Sequence, residues 1–211
     1  MANIDWGEIR LWTNESLAFG TCINPKHMKK AIFACLLAFT WIMSYSQENN
    51  QSLKTDIVAI DIGFVGGWLS YERHMTDLFT LKSEVGLPLI YVQTSLDDKS
   101  YYVSSPSVKI EPRYYYNFNR RVASKKSTNY NAANYFALSA IYIPGLFTIS
   151  NHTGLEAARS LRLIGKWGIK RIIGQRFNFE FAIGMGAGEL LTNDKVELVA
   201  GLDLRFGYIL W

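Results

Sequence analysis

The chain has 211 residues, of which 49% are hydrophobic, 14% aromatic and only 19% charged, and its formal net charge is +4. This length suits one folded domain, and the small net charge without a clustered basic face argues against nucleic-acid binding. Few charges, many aromatic residues and 16 glycines favour an all-β protein, and no apolar run reaches the roughly 18 residues that a membrane-spanning helix requires.

The first predicted element is an export signal that begins at Met28 rather than at Met1. Two lysines precede an apolar run, and small residues precede a cleavage site at Gln47. This is the three-part pattern of a cleavable secretory signal peptide, with a buried N-terminal helix as the alternative. The sequence therefore predicts three parts: an upstream extension that is non-native or disordered (1–27), a signal-peptide helix (28–46) and a mature exported domain (47–211).

From Leu53 onward, segments with alternating apolar and polar residues are separated by turn residues. Most of them span about 9–15 residues, whereas a tilted membrane-spanning strand needs about 9–11 and a globular strand averages about five or six. Pro88 and Pro112 are awkward positions for central strands. The eight predicted strands are 55–64, 68–75, 80–93, 107–118, 134–144, 161–173, 177–188 and 195–211.

The connections predict an orientation. Short turns follow the second and sixth strands, whereas longer connections follow the third, fifth and seventh, and a longer basic turn follows the fourth. With the N-terminus on the periplasmic side, short turns lie in the periplasm and long loops lie outside the cell, as in bacterial barrels.

The strand FNFEFAIGMGAG (177–188) shows two distinct faces. Phe177, Ile183 and Met185 belong to the large apolar set, and Glu180 and Ala182 belong to the polar or small set on the opposite side. The same parity in the other strands places eleven charged residues on the second face: Glu72, Lys82, Glu84, Lys109, Glu111, Arg113, Arg162, Lys166, Glu180, Asp203 and Arg205.

In a soluble protein the charged face would meet water and the apolar face would form a core. In a membrane barrel the apolar face meets lipid, and the charged residues pair across a narrow lumen. The export signal, the strand lengths and the aromatic residues at strand ends favour the membrane. We therefore predict an all-β fold, an eight-stranded antiparallel up-and-down transmembrane β-barrel preceded by a signal-peptide helix, with Glu84, Glu111 and Glu180 pairing with Lys82, Arg113 and Arg205.

Three stretches carry a family resemblance: LSYERHMTDLFTLKSEVGL, FNFEFAIGMGAG and the closing strand GLDLRFGYILW. Over residues 53–211 the chain resembles the small bacterial outer-membrane β-barrel family, eight-stranded and OmpA/OmpX-like. The resemblance implies insertion into the outer membrane of a Gram-negative envelope by the barrel-assembly machinery, which reads an aromatic C-terminal residue. Trp211 is aromatic and lies one residue out of phase with the apolar stripe that ends at Leu210.

No catalytic, cofactor or metal site is predicted. Ser150, His152 and Glu156 form the only set that suggests catalysis, and their spacing matches no enzyme motif. The predicted function is that of a non-enzymatic barrel with a charge-paired lumen and a structural, adhesive or minor small-solute role, with outer-membrane lipid as its partner. The alternatives are a lipid A-modifying enzyme, by analogy with eight-stranded barrels, and a soluble exported lipocalin-like binder.

Overall fold

The structure is a computed structural model that describes residues 11–12, 18–19, 53–93, 100–151, 157–190 and 195–211. Eight long strands dominate it: β1 (Asp56–Gly63), β2 (Gly66–Thr76), β3 (Phe79–Gln93), β4 (Ser107–Tyr114), β5 (Asn134–Ile143), β6 (Ser160–Ile173), β7 (Phe177–Leu190) and β8 (Lys195–Ile209). Each strand pairs antiparallel with the next, and β8 pairs with β1 to close the sheet. The predicted eight-stranded antiparallel up-and-down barrel is confirmed.

The outward surface of the barrel is apolar. Along β7, Phe177, Ile183 and Met185 are 59%, 47% and 69% exposed, whereas Glu180 and Ala182 are buried. Similar exposed side chains occur on the other strands: Ile60, Ile62, Leu69, Val85, Leu87, Val108, Ile110, Phe136, Leu161, Leu202, Leu204 and Phe206. A continuous belt of this kind is far more extensive than the apolar patches of soluble monomers, so it requires hydrocarbon rather than water around it.

Aromatic pairs mark one end of this belt. Phe79 stacks on Tyr114 with 4.8 Å between ring centroids, and Phe177 contacts Tyr208 edge-on at 5.3 Å. We call this the C-terminal end of the barrel, because it contains Trp211 together with the turns at 77–78 and 174–176. Amphipathic aromatic rings are typical of the interface between hydrocarbon and headgroups.

The fourth predicted strand (107–118) is too long. β4 ends at Tyr114, and the chain then forms a six-residue helix, α1 (Phe118–Ala123), and a 3₁₀ turn, Asn129–Asn131. Alternation over the predicted strand 107–118 places Phe118 with Val108 and Ile110 on the lipid face. It is buried instead, because the chain crosses the end of the barrel there and strand parity no longer applies. This end is closed by an apolar cluster of Leu53, Tyr115, Phe118, Ala133, Tyr135, Ala137 and Ala182.

One glycine and one proline have distinct local effects on the barrel wall. A Cβ atom on Gly168 would lie 2.4 Å from the ring of Tyr135, so glycine at this position leaves space for the tyrosine. Pro112 lies where the pairing of β4 with β5 is interrupted between Ile110 and Arg113, because proline has no N–H to donate to the ladder.

The polar loop predicted after β3 contains a further strand. Ser100–Ser104 pairs with residues 89–93 and lengthens the β3 hairpin, and Ile149–Ser150 pairs with residues 103–104. The sequence also predicted no strand before Leu53, whereas residues 11–12 pair with 91–92 and residues 18–19 pair with 198–199. The assignments of residues 1–27 and 28–46 otherwise fall outside the described residues and stay predictions.

Candidate functional site: a buried ion-pair network

Twelve charged side chains are buried inside the described part of the barrel. They comprise six carboxylates (Asp61, Glu72, Glu84, Glu111, Glu180, Asp203) and six cations (Lys82, Lys109, Arg113, Lys166, Lys170, Arg205). Ten of the eleven residues assigned to the lumen from sequence are among them. The eleventh, Arg162, is partly exposed, and the sequence assignment missed Asp61 and Lys170. The twelve formal charges sum to zero, so the interior carries no net charge to attract counterions.

Lys82 lies at the centre of the network. Its Nζ is 2.8 Å from Glu84 Oε1, 2.9 Å from Glu180 Oε2 and 3.3 Å from Asp61 Oδ2. Asp61 also accepts hydrogen bonds from Ser70 Oγ at 2.7 Å and from Asn178 Nδ2 at 3.2 Å. Three carboxylates from β1, β3 and β7 therefore converge on one ammonium group.

Arg113 connects the centre to the C-terminal end. Its Nε and Nη2 donate to Glu111 Oε1 at 2.7 and 2.6 Å, its Nη1 donates to Glu180, and Glu72 lies 3.9 Å away. The guanidinium also stacks over the ring of Tyr135, with 4.3 Å to the centroid. Charge-assisted hydrogen bonds and the aromatic face together replace the water that this guanidinium loses on burial.

Glu72 anchors the network at the C-terminal end. Lys170 Nζ donates to it at 2.7 Å, the hydroxyl of Tyr115 donates at 2.8 Å, and the amide of Asn131 donates at 3.0 Å. Tyr115 and Asn131 belong to the chain between β4 and β5 (115–133), which we call the closing segment. The Glu72 carboxylate therefore connects the closing segment to the barrel wall.

Arg205 connects the ion pairs in the half of the network that lies away from the C-terminal end. Its two terminal nitrogens donate to Glu84 at 2.8 Å and to Asp203 at 2.9 Å, and its guanidinium stacks over Trp68 at 3.9 Å. Lys166 lies 2.7 Å from Asp203, and Lys109 lies 2.6 Å from Glu84. Because Glu84 contacts the central Lys82 as well, the ion pairs form one connected set from Glu72 to Lys166.

A cleft crosses the wall where β1, only eight residues long, ends at Gly63. It encloses about 240 Å³, and its lining combines the interior residues Trp68 and Arg205 with the outward-facing Leu202 and Leu204. Within the described residues, positions 200–204 of β8 have no strand partner on the β1 side. The cleft therefore connects the end of the charged interior to the apolar outer surface.

The residues that suggested catalysis do not form a site in the described chain. Ser150 lies in the short strand Ile149–Ser150, whereas His152 and Glu156 lie outside the described residues. His74 lies near the end of β2, and its Nε2 is buried without a hydrogen-bond partner in the described structure.

No protein-family model and no curated protein matches the chain. Solved structures to which it is similar include the outer membrane protein OprG from Pseudomonas aeruginosa, at 12% identity and a TM-score of 0.40, covering 76% of this chain and 96% of OprG. Another is the outer membrane protein AlkL in DMPC lipid bilayers, at 10% identity and a TM-score of 0.43, covering 78% of this chain and 94% of AlkL. The fold assigned here depends on the strand pairing of the chain itself, and the finer OmpA/OmpX-like resemblance stays a prediction.

Replacing Glu180 with Gln should destabilise the barrel by about 3–5 kcal/mol, because Lys82 and Arg113 would keep their buried positive charges with one carboxylate fewer. Urea unfolding in lipid vesicles measures this change in the free energy of unfolding. Glu197→Gln is the matched control, since Glu197 is exposed. Equal stability of the two variants would contradict the proposed role of the network.

Proposed function

We propose that the protein is a non-enzymatic outer-membrane β-barrel whose ion-paired interior blocks axial passage of solutes. The observation that carries the proposal is the neutral set of twelve buried charges, which fills the cross-section together with Tyr115 and Tyr135. Eight-stranded barrels have interiors only wide enough for side chains. A barrel filled in this way is a rigid membrane-embedded support, which suits a structural role.

Three features support placement in the outer membrane. The exposed apolar belt needs hydrocarbon around it, and closure of β8 onto β1 through Arg205–Ile209 pairs backbone groups that lipid could not satisfy. The predicted signal peptide directs the chain out of the cytoplasm, where barrels are inserted by the assembly machinery. With the N-terminus on the periplasmic side, the C-terminal end faces the periplasm, and residues 100–106 and 144–151 lie at the cell surface.

Planar-bilayer recording tests the blocked interior. The unsubstituted barrel should show little steady conductance, whereas the triple variant Lys82→Ser, Arg113→Ser, Glu180→Ser should conduct several-fold more because it removes the centre of the network. A matched variant, Arg120→Ser, Lys125→Ser, Glu197→Ser, removes the same charges from exposed positions and should behave like the unsubstituted protein. A large steady conductance of the unsubstituted barrel would contradict the proposal.

The cleft at the end of β1 favours a second candidate function, passage of small apolar solutes. Its lining includes Leu202 and Leu204 on the outer surface and Trp68 inside, so a solute entering there reaches hydrocarbon without crossing the ion pairs. A volume of about 240 Å³ is slightly below the usual range for ligand pockets, about 300–1,000 Å³. This limits the candidate solutes to small molecules.

Leu204→Trp should obstruct this cleft by filling its outer mouth. We expect uptake of the apolar dye N-phenylnaphthylamine by intact cells to fall several-fold, to the rate of cells that lack the protein. Leu210→Trp is the control, since Leu210 is exposed just after the end of β8 and does not line the cleft. Equal uptake with Leu204→Trp and with the unsubstituted protein would exclude passage through the cleft.

A further inference from the structure

The surface at the C-terminal end of the barrel is strongly basic. We call it the basic rim, and within the described residues it contains two surface acids, Asp56 and Asp77, against eight cations: Lys54, Arg73, Arg120, Arg121, Lys125, Lys126, Arg171 and Arg176. The interior is neutral by contrast. An excess of positive charge beside the aromatic end of an apolar belt is where an anionic headgroup would be attracted.

Arg171 is a rim residue on the lipid-facing wall. It follows Trp167 and Ile169 on the outward parity of β6, and its two terminal nitrogens donate to Lys170 O at 2.7 Å and to Asn134 Oδ1 at 2.6 Å. The position of the guanidinium is therefore fixed before any ligand binds, and fixing a group in advance reduces the entropic cost of binding.

Aromatic residues support this position from the membrane side. Asn134 Nδ2 donates to the hydroxyl of Tyr116 at 3.2 Å, and Trp167 Nε1 donates to the same oxygen at 3.0 Å. The ring of Tyr116 packs on that of Phe136 at 5.1 Å. Acyl chains lying along Phe136 would thus place their headgroup at the level of Arg171.

Arg121 of α1 supplies a second cation at the same place. Asn117 and Asn134 connect the two residues: the backbone N–H of Arg121 donates to Asn117 O at 3.0 Å, and the backbone N–H of Asn134, whose side chain accepts from Arg171, donates to Asn117 Oδ1 at 2.8 Å. Neither guanidinium has a carboxylate partner in the described part of the chain. Arg121 donates through Nη2 to Ser127 O at 2.8 Å, whereas its Nε is buried without a hydrogen-bond partner there. Two adjacent guanidiniums without an anion are unfavourable, and a phosphate would both neutralise them and accept their hydrogen bonds.

We propose that Arg121 and Arg171 form a binding site for the phosphate of an anionic phospholipid in the periplasmic leaflet. The proposal rests on the proposed membrane insertion of the barrel. A lipid is favoured over a free phosphate because the apolar wall of Phe136 and Ile169 continues directly from the two arginines. Arg171 holds the phosphate from the wall, and Arg121 holds it from the closing segment.

Tryptophan quenching by brominated lipids tests the site, because Trp167 lies beside it. The full chain carrying Trp6→Phe, Trp12→Phe, Trp41→Phe and Trp211→Phe keeps only Trp167 and the buried Trp68. It is inserted into phosphatidylcholine vesicles that contain a minor fraction of phosphatidylglycerol, with either lipid brominated. We expect the association constant for phosphatidylglycerol to exceed that for phosphatidylcholine about fivefold or more. The ratio should fall towards one in Arg121→Gln/Arg171→Gln and should persist in the charge-matched Arg120→Gln/Arg176→Gln.

Equal association constants of the protein for phosphatidylglycerol and phosphatidylcholine would contradict the proposed site. An equal fall of their ratio in both double variants would also contradict it. The single variant Arg121→Gln changes only the short helix, and it should lower the ratio even if the double variant folds poorly. Inorganic phosphate added at matched ionic strength should leave the ratio of the two association constants unchanged. A fall of this ratio towards one on addition of phosphate would show that the site binds free phosphate instead. Insertion is measured separately, by the change in gel mobility of the protein on heating. Failure of the unsubstituted chain to insert would contradict the proposed function, whereas insertion without lipid selectivity would contradict only the lipid site.

Discussion

The structure depends on charge compensation inside a narrow barrel. Six carboxylates and six cations are removed from water together, and each would be costly to bury alone. Their mutual contacts, such as those of Lys82 with three carboxylates, replace the hydration that these groups lose on burial. Neutrality of the set is therefore a condition of the fold.

This arrangement inverts the usual distribution of residue types. A water-soluble barrel places its apolar residues inside, whereas here Leu202 and Phe206 are outside and their neighbours Asp203 and Arg205 are inside. Small residues make the inversion possible, since Gly168 leaves space for the Tyr135 ring that caps the ion pairs. At the C-terminal end, Glu72 connects the same network to the closing segment, so the wall and the cap stabilise each other.

Alternation along the chain predicted the strands and their two faces, because side-chain direction in a strand is a local property. The pairings in the lumen were only partly predictable. Arg113 contacts Glu111 on its own strand, as expected, but its contact with Glu180 spans 67 positions and depends on how the barrel closes. Phe118 was assigned to the wrong face, because its burial follows from the chain crossing the barrel end. Asp61 was missed because it is the only charge in the otherwise apolar stretch 57–63 of β1.

Spin-label accessibility along β7 and β8 tests the central claim most directly. Nitroxides placed singly at Ile183, Met185, Leu202, Leu204 and Phe206 in vesicles should collide often with oxygen, which concentrates in hydrocarbon, and rarely with a water-soluble nickel chelate. A label at the exposed Glu197 provides the aqueous reference. If the five labels are reached by nickel as readily as the reference, or are shielded from both reagents, these side chains do not face lipid and the charged residues do not form the interior.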